Sequence, residues 1–147
     1  MVRFFTEDIP FSLPERLRCR RWCKLAAGQE QRRLGNVNFI FCSDARLLDI
    51  NRQFLQHNYY TDVITFDYCE GDILSGDIFI SIDTVRENAA AFHATFENEL
   101  HRVMIHGLLH LVGYDDHTEA QQRRMHEKED HYLALWEHVA GSHAKTL

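Results

Sequence analysis

Two histidines four residues apart inside an apolar run constrain this chain more than any other feature: His106-Gly107-Leu108-Leu109-His110-Leu111-Val112-Gly113. A spacing of four puts both imidazoles on one helix face, one turn apart. Leu108, Leu109, Leu111 and Val112 mark that helix as buried. Unpaired imidazoles there would be costly, so something must satisfy them. One Zn²⁺ can do so, because nitrogen ligands reach it at about 2.0–2.1 Å. Nickel also suits imidazole. Gly113 lets the backbone leave the helix with positive φ. The returning chain carries Asp116 and His117, and either could be a third ligand. Three protein ligands leave a fourth position for water, the pattern of a catalytic zinc rather than a structural one.

The rest of the chain reads as strands and helices in mixed order. Residues 2–5 suggest a first strand. Pro14 suits the first turn of a helix running to about 27, with Gly28 as its stop. Residues 36–42 alternate polar and apolar and read as a strand. Ser43 can cap a helix over 44–54. The segment 62–67 is β-branched, and 76–82 gives another strand, the two pairing antiparallel. Asp83 or Thr84 can cap a helix through 92. The histidine helix spans about 97–112. Thr118 and Gln121 match a capping box for a last helix carrying Met125, Tyr132, Leu133, Leu135 and Trp136. This pattern predicts an α+β fold: a small mixed four-stranded sheet packed against about five helices, with a zincin-like metal helix.

A chain of 147 residues, 45% hydrophobic, fits a single domain over 1–147. No apolar run is long enough for a membrane span, and the first residues carry no secretory core, which points to the cytoplasm. Cys19, Cys23, Cys42 and Cys69 form no C-x-x-C pair, so reduced thiols are expected. The net charge of −6 does not suggest a nucleic-acid binder, but Arg16, Arg18, Arg20, Arg21 and Lys24 cluster. They would form either a phosphate-facing strip or a solvated helix face. Most of the remaining histidines, His93, His101, His126, His131, His138 and His143, are expected to face solvent. His101 lies about 140° round the helix from His106, outside the ligand set.

Zinc peptidases carry H-E-x-x-H, in which the Glu takes a proton from the metal-bound water. Gly107 stands at that position and cannot do so. A hydrolase of peptides or small amides would need a base from elsewhere, such as Asp115 or His117. Phosphodiester hydrolysis is equally compatible with the spacing.

Four blocks, in order, resemble one family. Residues 106–115 are similar to H-G-x-L-H-L-x-G-Y-D-H, the signature of the YbeY family of bacterial rRNA-maturation endoribonucleases. Thr61-Asp62-Val63-Ile64-Thr65-Phe66 resembles its P-T-D-V-L-S-F. Gly76-Asp77-Ile78-Phe79-Ile80-Ser81 resembles its G-D-I-x-I-S, and 49–54 its L-N-x-x-[YF] helix end. The resemblance implies a zinc-like metal and cleavage of single-stranded RNA. It also implies maturation of the 3′ end of small-subunit rRNA and a role in ribosome quality control. A ribosome-assembly factor with a structural metal is the non-enzymatic alternative.

Two positions depart from the family pattern. The family's third ligand, a histidine, aligns without insertion to Asp116, making His106, His110 and Asp116 the expected metal set with His117 the alternative. The family's arginine after the N-x-x-[YF] aromatic is replaced by Leu55, and His57 is the nearest substitute. RNA would stack its bases on Tyr59 or Tyr60, with phosphates near the basic helix.

Overall fold

The computed structural model describes residues 1–55 and 61–140. In chain order these form β1 (Val2–Thr6), α1 (Arg16–Gln29), β2 (Arg33–Cys42), α2 (Asp44–Phe54), β3 (Val63–Asp67), β4 (Ile73–Ser81), α3 (Ile82–Ala91), α4 (Phe96–Val112) and α5 (Glu119–Trp136). The sheet order is β1-β2-β4-β3. β1 and β4 each run parallel to β2, and β3 pairs antiparallel with β4. The fold is α+β with a mixed sheet, as the order of elements predicts.

Alternation in the strands sorts the two faces of the sheet. Val37, Phe39, Phe41, Ile78 and Ile80 point into the main core with Trp22, Met104 and Leu108. On the opposite face Leu47 and Ile50 of α2 pack with Cys42 and Ile64. The metal-helix candidate α4 is therefore a central element, in contact with α1, α3, α5, β3 and β4.

Several local expectations need correction. Pro14 lies outside α1, whose N-cap is Glu15 in a left-handed conformation at φ 54°. Gly28 stays inside α1, and Gln31, at φ 60°, is the residue that turns the chain. β2 begins three residues earlier than its alternation suggests, because a bulge between Leu34 and Val37 breaks the period. Ser81, rather than Asp83 or Thr84, caps α3, its hydroxyl accepting from Thr84 N at 3.1 Å. Asp83 instead accepts from Asp44 N at the start of α2, at 3.0 Å. The caps at Ser43 and Thr118 form as expected, the latter as a full capping box with Gln121.

The basic stretch of α1 belongs largely to packing. Arg18 lies 4.0 Å over the Trp136 ring and donates to Trp136 O, Arg20 donates to Val2 O, and Arg21 to Ala140 O. Cys19 and Cys23 are buried free thiols, and burial pushes Cys19 up to about 12.

His101 is not solvent-facing. It is 3% exposed, its ring centroid 4.0 Å from that of Trp136 and 5.5 Å from that of Trp22. Trp22 of α1 and Trp136 of α5 pack against the ring on this side of α4 and exclude solvent from it. Burial, then the Arg18 charge, lowers its pKa from 6.5 to about 4. The folded state thus holds His101 neutral while the unfolded chain takes up a proton below pH 6.5. Stability linked to this group is intact above pH 6.5 and lost as pH falls toward 4. Between pH 7 and pH 5 the expected loss is about 2 kcal/mol. Urea unfolding at the two pH values should show that fall in the parent and a correspondingly smaller one in His101→Phe.

Candidate metal centre

Two glycines seat α4 on the sheet. A Cβ on Gly107 would lie 2.6 Å from Ile78 Cγ2, and one on Gly76 would lie 2.3 Å from Phe66 O and 3.0 Å from Leu111 Cδ2. The helix gives way to a strand side chain at 107, and the strand gives way to a helix side chain at 76. Four helical residues and two strand residues both span roughly 6–7 Å, so the two contacts share one register. Gly107 is therefore a packing residue turned toward Ile78 of β4.

His106 and His110 project from the outer side of α4, and the chain then turns at Gly113, φ 122°. That turn brings Asp116 back over both rings. Asp116 Oδ2 lies 3.3 Å from His106 Nε2 and 3.6 Å from His110 Nε2, and the two Nε2 atoms are 2.9 Å apart. Ligand atoms about 2.0–2.1 Å from a tetrahedral ion lie about 3.3 Å from one another, so these separations bracket what one ion needs. The donor set, two imidazoles and a carboxylate, suits a zinc-type cation. The side chains of His106, His110 and Asp116 are 20%, 23% and 36% exposed, which leaves the cluster open to solvent on one side.

The His106 ring is oriented from behind. His106 Nδ1 donates to Glu129 Oε2 at 2.6 Å, leaving Nε2 as the lone-pair nitrogen that faces the cluster. Glu129 Oε1 in turn accepts from Arg102 Nη1 at 2.9 Å. Burial would lower the His106 pKa, but the Glu129 hydrogen bond and charge, with Asp62 and Asp116, outweigh it and raise it. Burial and then the His106 charge lower that of His110. Asp62, at the entrance to β3, is held above the usual carboxylate range by burial, opposed by the His106 charge.

The structure brings together His106, His110 and Asp116, the one group of three or more potential metal-ligating side chains found among the described residues. His117 is left out: it is exposed, and its backbone N–H is tied to Gln121 Oε1 at 3.0 Å. Asp115 is exposed as well. Leu55 ends α2 and is 39% exposed. His57, Tyr59, Tyr60 and His143 lie outside the described residues. The residue that sequence reasoning missed is Glu129. Its signal was present: Met125, Glu129, Tyr132 and Trp136 fall on one buried helix stripe, and a lone carboxylate in such a stripe needs a partner.

A histidine pair on a sheet-backed helix, a carboxylate returned by the following turn and an open side form a donor set that could hold one metal ion, an arrangement of the kind metal-dependent hydrolases use. The family described as Endoribonuclease YbeY matches residues 13–137. The chain belongs to that YbeY family. It is 48% identical over 134 residues to Endoribonuclease YbeY of Bacteroides thetaiotaomicron, covering 91% of this chain and 98% of that one. The Cytophaga hutchinsonii Endoribonuclease YbeY is 51% identical over 136 residues, covering 91% and 94%. Among solved structures, the solution structure of TM1509 from Thermotoga maritima matches with a TM-score of 0.67 and 31% identity, covering 99% of this chain and 100% of that one. Among the described residues no helix is long and apolar enough to cross a membrane.

Proposed function

We propose that this chain, acting as one domain, is a metal-dependent endoribonuclease that cuts single-stranded RNA. His106, His110 and Asp116 would hold one Zn²⁺. Its substrate would be the 3′ end of small-subunit rRNA, met at the ribosome in the cytoplasm, with a role in ribosome quality control. The observation that carries the reading is the convergence of three donor atoms on a solvent-open face, within 4.8 Å of one another, in a chain matched to the family over residues 13–137.

When bound, the ion would polarise a phosphate oxygen and lower the pKa of a coordinated water to about 7. The protein's own contribution is orientation. Glu129 accepts from His106 Nδ1, so Nε2 would be the atom offered to the ion. Arg102 holds Glu129 from its far oxygen. Asp116 adds a negative charge that a third imidazole would lack, making the centre a weaker electrophile. Leu55 can neither hold a phosphate nor stabilise its developing charge. His57, two residues on, is the proposed substitute, with Tyr59 or Tyr60 as stacking surfaces.

The test uses the purified full-length chain with a single-stranded RNA ending in the 3′ sequence of small-subunit rRNA, beside the same strand in a duplex. Cleavage of the single strand is expected to exceed that of the duplex about tenfold or more, to fall on chelation and to return with added Zn²⁺. Cleavage that ignores the chelator, or peptide turnover without RNA cleavage, would overturn the proposal.

A further inference from the structure

The turn that carries Asp116 is gripped from a distant part of the chain. The connection between α1 and β2 reaches it on both sides of Gly113. Arg32 Nη2 donates to Val112 O at 3.3 Å, and Glu30 Oε1 accepts from the Tyr114 hydroxyl at 2.7 Å. The Glu30 side chain is only 6% exposed, and its other oxygen accepts from Lys128 Nζ at 2.9 Å and from the Tyr132 hydroxyl. Lys128 Nζ also sits 5.5 Å from the Tyr114 ring centroid. The far end of the turn is fastened to α5, where Gln122 Nε2 donates to Asp116 O at 3.1 Å and the Thr118–Gln121 capping box begins the helix. Tyr114 is thus the near anchor of a short span whose free member is the Asp116 carboxylate.

We propose that Glu30 is a positioning residue for the metal centre, acting through the Tyr114 hydroxyl to hold the turn that presents Asp116. This rests on the reading of Asp116 as a metal ligand. A carboxylate held at one end by backbone alone would sample positions away from the two imidazoles. A buried, charged acceptor on Tyr114 removes that freedom. The three donors on Glu30 are not equivalent, because only Tyr114 belongs to the turn, and that asymmetry gives the test.

The experiment measures Zn²⁺ affinity of the full chain by competition with a chromophoric chelator, alongside thermal unfolding of the metal-free protein. Tyr114→Phe is expected to weaken Zn²⁺ binding by about tenfold, within the roughly 10–100-fold span typical of lost outer partners. Glu30→Gln should reproduce the loss. Tyr132→Phe removes a hydrogen bond to the same carboxylate, so it should change unfolding but leave Zn²⁺ affinity within about twofold, because it lies outside the turn. In an Asp116→Ala background Tyr114→Phe should have no further effect on Zn²⁺. The proposal is overturned if Tyr114→Phe binds Zn²⁺ like the parent, if Tyr132→Phe weakens it equally, or if the Tyr114→Phe loss persists without Asp116. Parent-like binding by both His110→Ala and Asp116→Ala would instead sink the metal-centre reading itself. Losses in those two with none in Tyr114→Phe would remove only the role of Glu30.

Discussion

His110→Ala is expected to reduce cleavage of single-stranded RNA by about a thousandfold or more, with the fold intact. The size follows from the chemistry: metal polarisation supplies several kcal/mol of transition-state stabilisation, and each 1.36 kcal/mol is a factor of ten. Retention of the fold follows from the site's position. His110 projects from the outer side of α4 with 23% of its side chain exposed, whereas the core contacts of that helix come from residues such as Leu108, Leu109 and Leu111. Removing the ring also ends the 2.9 Å approach of two imidazole nitrogens, a contact that is awkward without an ion or a proton between them. Circular dichroism and thermal unfolding should match the parent, while elemental analysis and a single-stranded RNA assay should not. Equal cleavage by parent and variant would assign the activity elsewhere.

Asp116→Ala should lose bound metal where His117→Ala keeps it. Both residues lie beyond the Gly113 turn, and the family pattern alone leaves the neighbour as a candidate. The structure separates them by direction: Asp116 Oδ2 faces both histidines at 3.3 and 3.6 Å, while His117 is exposed with its backbone engaged by Gln121. Losing a direct ligand should cost more affinity than the roughly 10–100-fold typical of an outer partner. Metal content measured on the two variants side by side decides the matter. Retention in Asp116→Ala with loss in His117→Ala would reverse the assignment.

The parts of the fold legible in the sequence are those where one local rule acts unopposed. The spacing of His106 and His110, the Gly113 stop, the caps at Ser43 and Thr118 and the alternation in 37–41 each state their own geometry. Legibility failed where long-range packing overrode local signals. His101 looks like a surface residue by type, yet the neighbours of α4 close over it. Glu129 stands out as a carboxylate in a buried stripe, but no local rule names its partner, His106, which is 23 residues away on another helix. The sequence shows at Gly107 only the carboxylate it lacks, whereas the residue there is fixed by Ile78 on the strand beneath the helix.

That last contact has an engineering consequence. Converting this scaffold to amide chemistry by installing Glu at 107 would be blocked before any question of reactivity, because the new side chain would collide with β4 beneath the helix. The strand would first need hollowing at Ile78, and the fully buried Ile78 belongs to the core on which the helix rests. The choice of chemistry in this scaffold is thus guarded by volume.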